Sequence, residues 1–585
     1  MTLTLTHRVR LAALLSRHGW RSVRRRFGAP LRLLAVAASR TPERLLIAPQ
    51  DIRTPDPQIA VDIYSGYFAF GGKAAEANGY SPFLIEPPSP GWTRILMGFG
   101  WLRHLRAADT TLARANARTL VQDWINIIDR PRMRSDAETA FEPRVVARRI
   151  LSWLSQSPII LEGADHAFYQ AFTGSLGRQA VYLQRRIAEG LGGETLLLAS
   201  VALAELGLCV EGLSKLHRKA SRLLAGELAR QILPDGGHIS RNPRALIELL
   251  LDLLPLRQAY AARGVQPPAQ LLNAIDRMMP MLRMFRHGDG TLALFNGMGV
   301  TAPELLATVL AYDDARAGAM FNAPHSGYQR LQAGEAVVVM DTGKPPPLAF
   351  SGEAHASCLA FEFSSGDHRL IVNCGAPDPG RQAAYEAARA TAAHSALTVA
   401  DTSSCRFAAQ RGAGDWSRGE IIGGPRKVAV ERGESATAFT LTASHDGYLP
   451  RFGLLHSRTL SLSADGTRLS GEDGLTLTGR KGRGAPDYAA RFHLHPTVKA
   501  SATQQGRAVM LASGPHEAWV FEAGGLQITL EDSIFYAAPD GPRRATQIVV
   551  NANCADSSVL QWSLTRVAQG EGRQTRQRES PQRLF

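Results

Sequence analysis

From about Ile95 to Ala311 the apolar residues return every three or four positions, the period of helices that bury one stripe. Val121, Trp124, Ile125 and Ile128 form one such set, Leu197, Val201, Ala204 and Leu208 another, and Leu246, Leu249, Leu250, Leu253 and Leu254 a third. Gly190-Leu191-Gly192-Gly193, Pro234-Asp235-Gly236-Gly237 and His287-Gly288-Asp289-Gly290 lie between the sets and read as helix stops and turns. After about Gly334 the period drops to two. Val337, Val339 and Asp341 alternate with Ala336, Val338 and Met340, and the stretches Leu460–Ser463 and Leu526–Leu530 repeat the alternation. Asp465-Gly466, Asp473-Gly474 and Asp540-Gly541 mark tight turns between antiparallel strands. Helices first and strands afterwards predict an α+β chain of two segregated domains, with the boundary within 312–333, rather than alternating βαβ units.

The chain has 585 residues, of which 45% are apolar and 20% charged, an ordinary globular balance. Its net charge of +14 is concentrated at the ends. Residues 1–40 hold nine Arg and no acid, residues 566–585 hold five Arg against two Glu, and everything between carries only +2. The folded part is therefore no platform for phosphate backbones, and a nucleic-acid partner is not expected. Residues 7–32 mix Arg8, Arg10, Arg17, Arg21, Arg24, Arg25, Arg26 and Arg32 with Leu11, Leu14, Leu15, Trp20 and Phe27. That pattern fits either a solvated basic helix or a peripheral helix on an anionic membrane surface. No run approaches 18 apolar residues, so no spanning helix is expected, and no cleavage site follows the short apolar runs near the N-terminus. The tail after Arg566 is polar and predicted to be disordered. Five cysteines without a C-x-x-C pair argue against a disulfide framework or a zinc knuckle.

Nucleotide-binding and simple hydrolase motifs are missing: there is no G-x-x-x-x-G-K-[ST], no H-E-x-x-H, and no G-x-S-x-G between a strand and a helix. What remains is a set of His, Tyr, Glu and Asn beside turns. His238 falls on the connection Asp235–Pro243, where an exposed imidazole can act as general acid or base or can cap a helix end. Glu194 opens a helix after the Gly-rich turn, where a carboxylate complements the dipole. Glu353 and His355 are two apart and share one face of an extended segment. His355, Asn373 and His394 can converge as N/O/N donors, although Asn is a weaker zinc ligand than Asp. His493 and His495 share a strand face as a structural pair.

Together these segments resemble the heparinase II/III family of polysaccharide lyases. The resemblance rests on Gly192–Leu206, Asp235–His238, Phe285–Gly290 and above all Glu353–Val399, with Gly447-Tyr448, His456–Arg458 and Phe492–Pro496 as later pieces. It implies an N-terminal (α/α) toroid (41–320) joined to a C-terminal antiparallel β-sandwich (321–565), flanked by a basic segment (1–40) and a basic tail (566–585). The implied chemistry is β-elimination on a uronate-containing acidic polysaccharide. A base removes the proton α to the carboxylate, a polar group neutralises that carboxylate, and an acid protonates the departing glycosidic oxygen.

Position by position, the resemblance makes His238 and Tyr385 the acid–base pair with Glu353 beside them. Glu194, Arg241, Asn242 and His287 would line the sugar groove. His355, Asn373 and His394 would hold one structural zinc ion, with no organic cofactor. Three positions depart from the family pattern: Glu353 stands for the first His of a His-x-His pair, Asn373 for a ligand Asp, and Glu194-Thr195 for an Asn or His. A carboxylate where a substrate carboxylate must be neutralised repels it unless protonated. The departures favour a second reading, a non-catalytic carbohydrate-binding or envelope-polysaccharide protein on the same fold. A hydrolase using Glu353 would need a second carboxyl roughly 5–10 Å away. The resemblance implies a cell-envelope or periplasmic location, whereas the N-terminus favours the cytoplasm or the inner membrane surface.

Overall fold

The computed structural model describes residues 5–37, 42–129, 137–313, 318–377, 381–408, 419–478, 485–514 and 517–567. The expected disorder of the basic tail concerns residues that, beyond Val567, lie outside these.

The first half is helical. Its longest members are Leu5–Ala37, Thr111–Ile127, His166–Ala188, Glu194–Cys209, Ser214–Gln231, Pro243–Ala262 and Ala269–Met284, and a small hairpin, Tyr67–Phe70 with Lys73–Glu76, interrupts them. Helix starts follow local chemistry. Asn242 caps the Pro243 helix by accepting the Arg244 amide at 3.0 Å, with proline at the first turn. The Glu194–Cys209 helix is the centre of the layer: thirteen of its sixteen residues are buried, so it has no polar face to speak of. The last helix of this half ends at Ala311 and the first strand of the sandwich begins at Asn322.

The second half folds into two large antiparallel sheets among the described residues. One runs from Val428–Glu434 through Ala438–His445, Leu454–Ser463, Arg468–Leu477, Val559–Arg566, Ala518–Glu522 and Ala508–Ala512 to Lys499–Thr503. The other runs from Ile528–Phe535 through Arg543–Asn553, Asp487–Leu494, His368–Val372, Phe361–Ser365, Ala336–Asp341 and Tyr328–Ala333 to Asn322–Ala323. The sheets face each other across a core that includes Phe361, Phe492, Trp519, Phe521 and Trp562.

The alternation at Ala336–Asp341 is real, yet all six residues are buried. Ala336, Val338 and Met340 join the sandwich core, whereas Val337 and Val339 join the core of the helical half. A period of two here separates two interiors rather than an interior from solvent. The helical and strand domains are segregated along the chain as expected, and they share an apolar seam.

Polar contacts across that seam explain the Gly-rich connections. Asp235 accepts the amides of His325 and Ser326 at 2.8 and 2.7 Å, holding the first sandwich turn on the helical layer. Gly236 has φ +83°, and a Cβ there would stand 2.0 Å from the Arg277 carbonyl oxygen, so no other residue fits. Gly288 passes equally close to Gly366. The Asp473-Gly474 pair, in contrast, is not a turn. It lies inside Arg468–Leu477, where buried Asp473 accepts from Arg458 and Trp562 and pairs with His456. These partners need a central strand position, and nothing local in the Asp-Gly pair signals them.

The strongest cross-domain link is Arg241. Its guanidinium donates to the carbonyls of Ser326 (2.7 Å), Gly327 (3.0 Å) and Lys344 (3.0 Å), forms a buried ion pair with Asp341, and stacks 4.8 Å from the centre of the Tyr328 ring. Tyr328 returns a hydrogen bond to the Arg241 carbonyl at 2.6 Å. Removing one partner of such a pair leaves an uncompensated buried charge and costs about 3–5 kcal/mol. Asp341→Asn is therefore expected to lower the unfolding free energy by about 3 kcal/mol or more in denaturant titration; a loss under about 1 kcal/mol would show that the staple is dispensable.

Candidate functional site

Where the seam reaches solvent, the first turns of three helices meet the sandwich loop 351–355, and the charged side chains there are 38–60% exposed. Glu194 begins one helix, and Arg144, just inside the Pro143–Ser155 helix, lies 3.6 Å from it and 3.0 Å from Glu248. Arg244, one turn before Glu248, reaches Glu353 at 3.7 Å and the Gly297 carbonyl at 3.0 Å. Asn242 also approaches Glu353, at 3.5 Å. This rim is thus lined by interleaved carboxylates and guanidinium groups. Burial raises the pKa of Glu194, with Arg144 opposing; for Glu248 burial acts the same way, but Arg144 and Arg244 outweigh it and the pKa falls. Arg144 also lines a cavity of about 480 Å³ inside the helical layer, in which Arg53 and Arg148 hold Asp252. Sequence reading passed over Arg144, Arg244 and Glu248. The i,i+4 spacing of Arg244 and Glu248 was a usable signal; the approach of Arg144 was not, because it comes from a distant helix.

Glu353 and Tyr385 lie close together on the sandwich side of this rim. The Glu353 side chain is 60% exposed, and the Tyr385 hydroxyl donates to the Gly352 carbonyl at 3.0 Å beneath the Arg389 guanidinium. Arg389 donates to the carbonyls of Ala354 (2.8 Å) and Ser351 (3.0 Å), which fixes the loop that presents Glu353.

His238 is not on an exposed connection. It is 2% exposed, with Nδ1 2.7 Å from Ser240 Oγ and Nε2 3.2 Å from Gln231 Oε1. The ring of Phe350 stands edge-on to it, 6.0 Å between centroids. Burial depresses its pKa to about 4. Arg241 and His287 likewise face inward rather than toward a sugar. Arg241 is the staple described above, and His287 bonds Ser364 at 2.8 Å and Glu362 at 3.0 Å. Glu362 also takes Arg369 at 2.6 Å; against the effect of burial, Arg369 and His287 hold its carboxyl down at about 2.

His355 and His394 do meet, with Nδ1 of the first 3.1 Å from Nε2 of the second. His394 Nδ1 lies 2.8 Å from the Ala390 carbonyl and must carry the proton there, so its Nε2 accepts from His355 Nδ1–H. This leaves His355 Nε2 as a buried lone pair without a partner. Asn373 does not join them. Its Oδ1 takes the Ser395 amide at 2.9 Å and its Nδ2 donates to Glu362 at 3.2 Å, so its carboxamide is already engaged. Among the described residues no three His, Cys, Asp or Glu side chains could hold a metal ion. The arrangement does not fit the expected zinc set.

The family is decided by the extent of similarity. A model of the heparinase II/III-like C-terminal domain matches residues 315–563. FtsZ-localized protein C of Caulobacter vibrioides is 32% identical over 565 residues, covering 92% of this chain and 93% of that protein. The chain belongs to the heparinase II/III-like family. Solved heparinase III has the same fold at a TM-score of 0.68 and 12% identity, covering 92% of this chain and 88% of that one. The heparan sulfate lyase HepC of Pedobacter heparinus gives 0.60 and 13%, covering 93% and 88%. The helical half and the double sheet of this heparinase II/III-like chain are accordingly the toroid and the sandwich of a polysaccharide-lyase-like architecture.

His238 and His394 both have pKa values pushed by burial from the usual 6.5 to about 4. The unfolded chain therefore takes up their protons first: stability is complete above pH 6.5 and declines as the pH falls toward 4, by roughly 1 kcal/mol per pH unit for each group. Denaturant titrations at pH 7 and pH 5 are expected to show this loss, reduced in His238→Gln; an unchanged loss in that variant would mean that His238 is not held neutral.

Proposed function

We propose that this chain is a non-catalytic member of its family, which keeps the lyase architecture as a scaffold and works in company with FtsZ. The observation that carries the first part is His238. An elimination base must touch the substrate's Cα–H, and both nitrogens of this imidazole are already bonded inside the protein, behind Gln231 and Ser240. Two further features support it. Glu353 would set a carboxylate rather than a donor against a uronate bound here, and its neighbours Arg244 and Asn242 are turned toward it. The cations of the rim are matched by Glu194, Glu248 and Glu353, which gives little attraction to a polyanionic sugar chain.

The second part is supported by similarity along almost the whole chain to a relative whose name places it with FtsZ, whereas the lyases share the fold at 12–13% identity. Incubation with heparan sulfate, chondroitin sulfate and alginate is expected to yield no absorbance from an unsaturated uronate. Product that disappears in Tyr385→Phe would overturn the non-catalytic reading. The protein is expected to co-sediment with FtsZ polymers, and its remaining in the supernatant would remove the second part while leaving the first.

A further inference from the structure

The helix Leu5–Ala37 has two unlike faces. One grips the body at both domains. Leu14 is 2% exposed and packs with Leu348, Ala408 and Ile422 of the sandwich. Arg32 pairs with Glu189 of the toroid at 2.5 Å, with both side chains largely buried, and Gly28 lies so close to Glu189 that a Cβ would stand 2.8 Å from its carboxylate. The helix is therefore fixed on the body rather than trailing from it.

The other face is apolar and turned to solvent. Val9, Trp20, Val23, Phe27 and Leu31 are 60, 62, 46, 76 and 61% exposed. With the exposed small residues Ala13 and Ser16 they follow one another at steps of four and three, which keeps them on a single line along the helix. At 100° per residue, exposed Arg8 and Arg26 fall on one side of this stripe and exposed Arg10 and Arg24 on the other. Residues 5–37 contain no Asp or Glu.

We propose that this face lies on an anionic lipid surface, with the stripe at the boundary of headgroups and acyl chains and the flanking arginines on lipid phosphates. A second copy of the helix would set arginine rows against arginine rows, and a neutral surface would leave them without counter-charge. The exposed tryptophan suits an interface, with an apolar ring and one N–H for the headgroup layer. Because the gripping face spans toroid and sandwich, lipid contact would orient the entire body and not only a tether.

The test is sedimentation of the full chain with vesicles of phosphatidylglycerol mixed with phosphatidylethanolamine, beside vesicles of phosphatidylcholine alone. Expected is pelleting with the anionic vesicles only, released by high salt, and weakened at least tenfold in Trp20→Glu/Phe27→Glu and in Arg8→Gln/Arg26→Gln. All four side chains are exposed, so unchanged thermal melting is the control for folding, and either variant alone suffices. The proposal is overturned by no pelleting, by equal pelleting with phosphatidylcholine, by retention in a folded variant, or by a concentration-dependent dimer that the first variant abolishes without any vesicle binding.

Discussion

The molecule depends on a buried charge that crosses its domain boundary. Arg241 leaves the toroid in a left-handed backbone conformation, φ +63°, and spends its guanidinium on Asp341 and three sandwich carbonyls. A guanidinium taken out of water is tolerable only where its donors are satisfied, and here they are satisfied by the other domain. The Asp235 turn, the Gly236 and Gly288 close approaches and the His287–Glu362–Arg369 set repeat the same solution at neighbouring points. Toroid and sandwich thus form one body, and the strand Ala336–Asp341 belongs to the interior of both.

That solution constrains the chemistry left over. Catalytic groups need unfilled bonding capacity facing a substrate, and along this seam most such capacity is consumed in holding the domains together. His238, His287, Arg241 and Asn373 are all of a type suited to a sugar-cleaving site, yet each has its polar atoms bonded inward. What stays open is the rim of Glu194, Arg144, Glu248, Arg244 and Glu353, where opposite charges answer one another. The groups that the family chemistry would draw on are, along this seam, largely engaged in structural bonds. The long N-terminal helix adds a second surface that is neither toroid nor sandwich.

Much of this was legible in the chain. The change of period from 3.6 to 2 separates helices from strands because each periodicity follows from backbone geometry alone, and the Gly-rich connections announced themselves because few other residues tolerate their conformations. Glu353 and Tyr385 could be set side by side, and the meeting of His355 with His394 was anticipated. The errors share one cause. Exposure of His238, a turn at Asp473-Gly474 and the ligand role of Asn373 were judged from adjacent residues, whereas their partners lie elsewhere: Gln231 across a turn, Arg458 on the neighbouring strand, Glu362 eleven residues away on the adjoining antiparallel strand.

By itself, then, the sequence determined the order of helices and strands, the clustering of charge at the ends and the identity of the groups available for chemistry, since those are properties of local spacing and composition. The tertiary structure alone decided which of those groups face solvent and which are sealed, and on which side of the N-terminal helix the apolar stripe points. Burial and hydrogen-bond pairing are set by residues that only the fold brings together, from seven positions apart for His238 and Gln231 to one hundred for Arg241 and Asp341, and no local pattern carries that information.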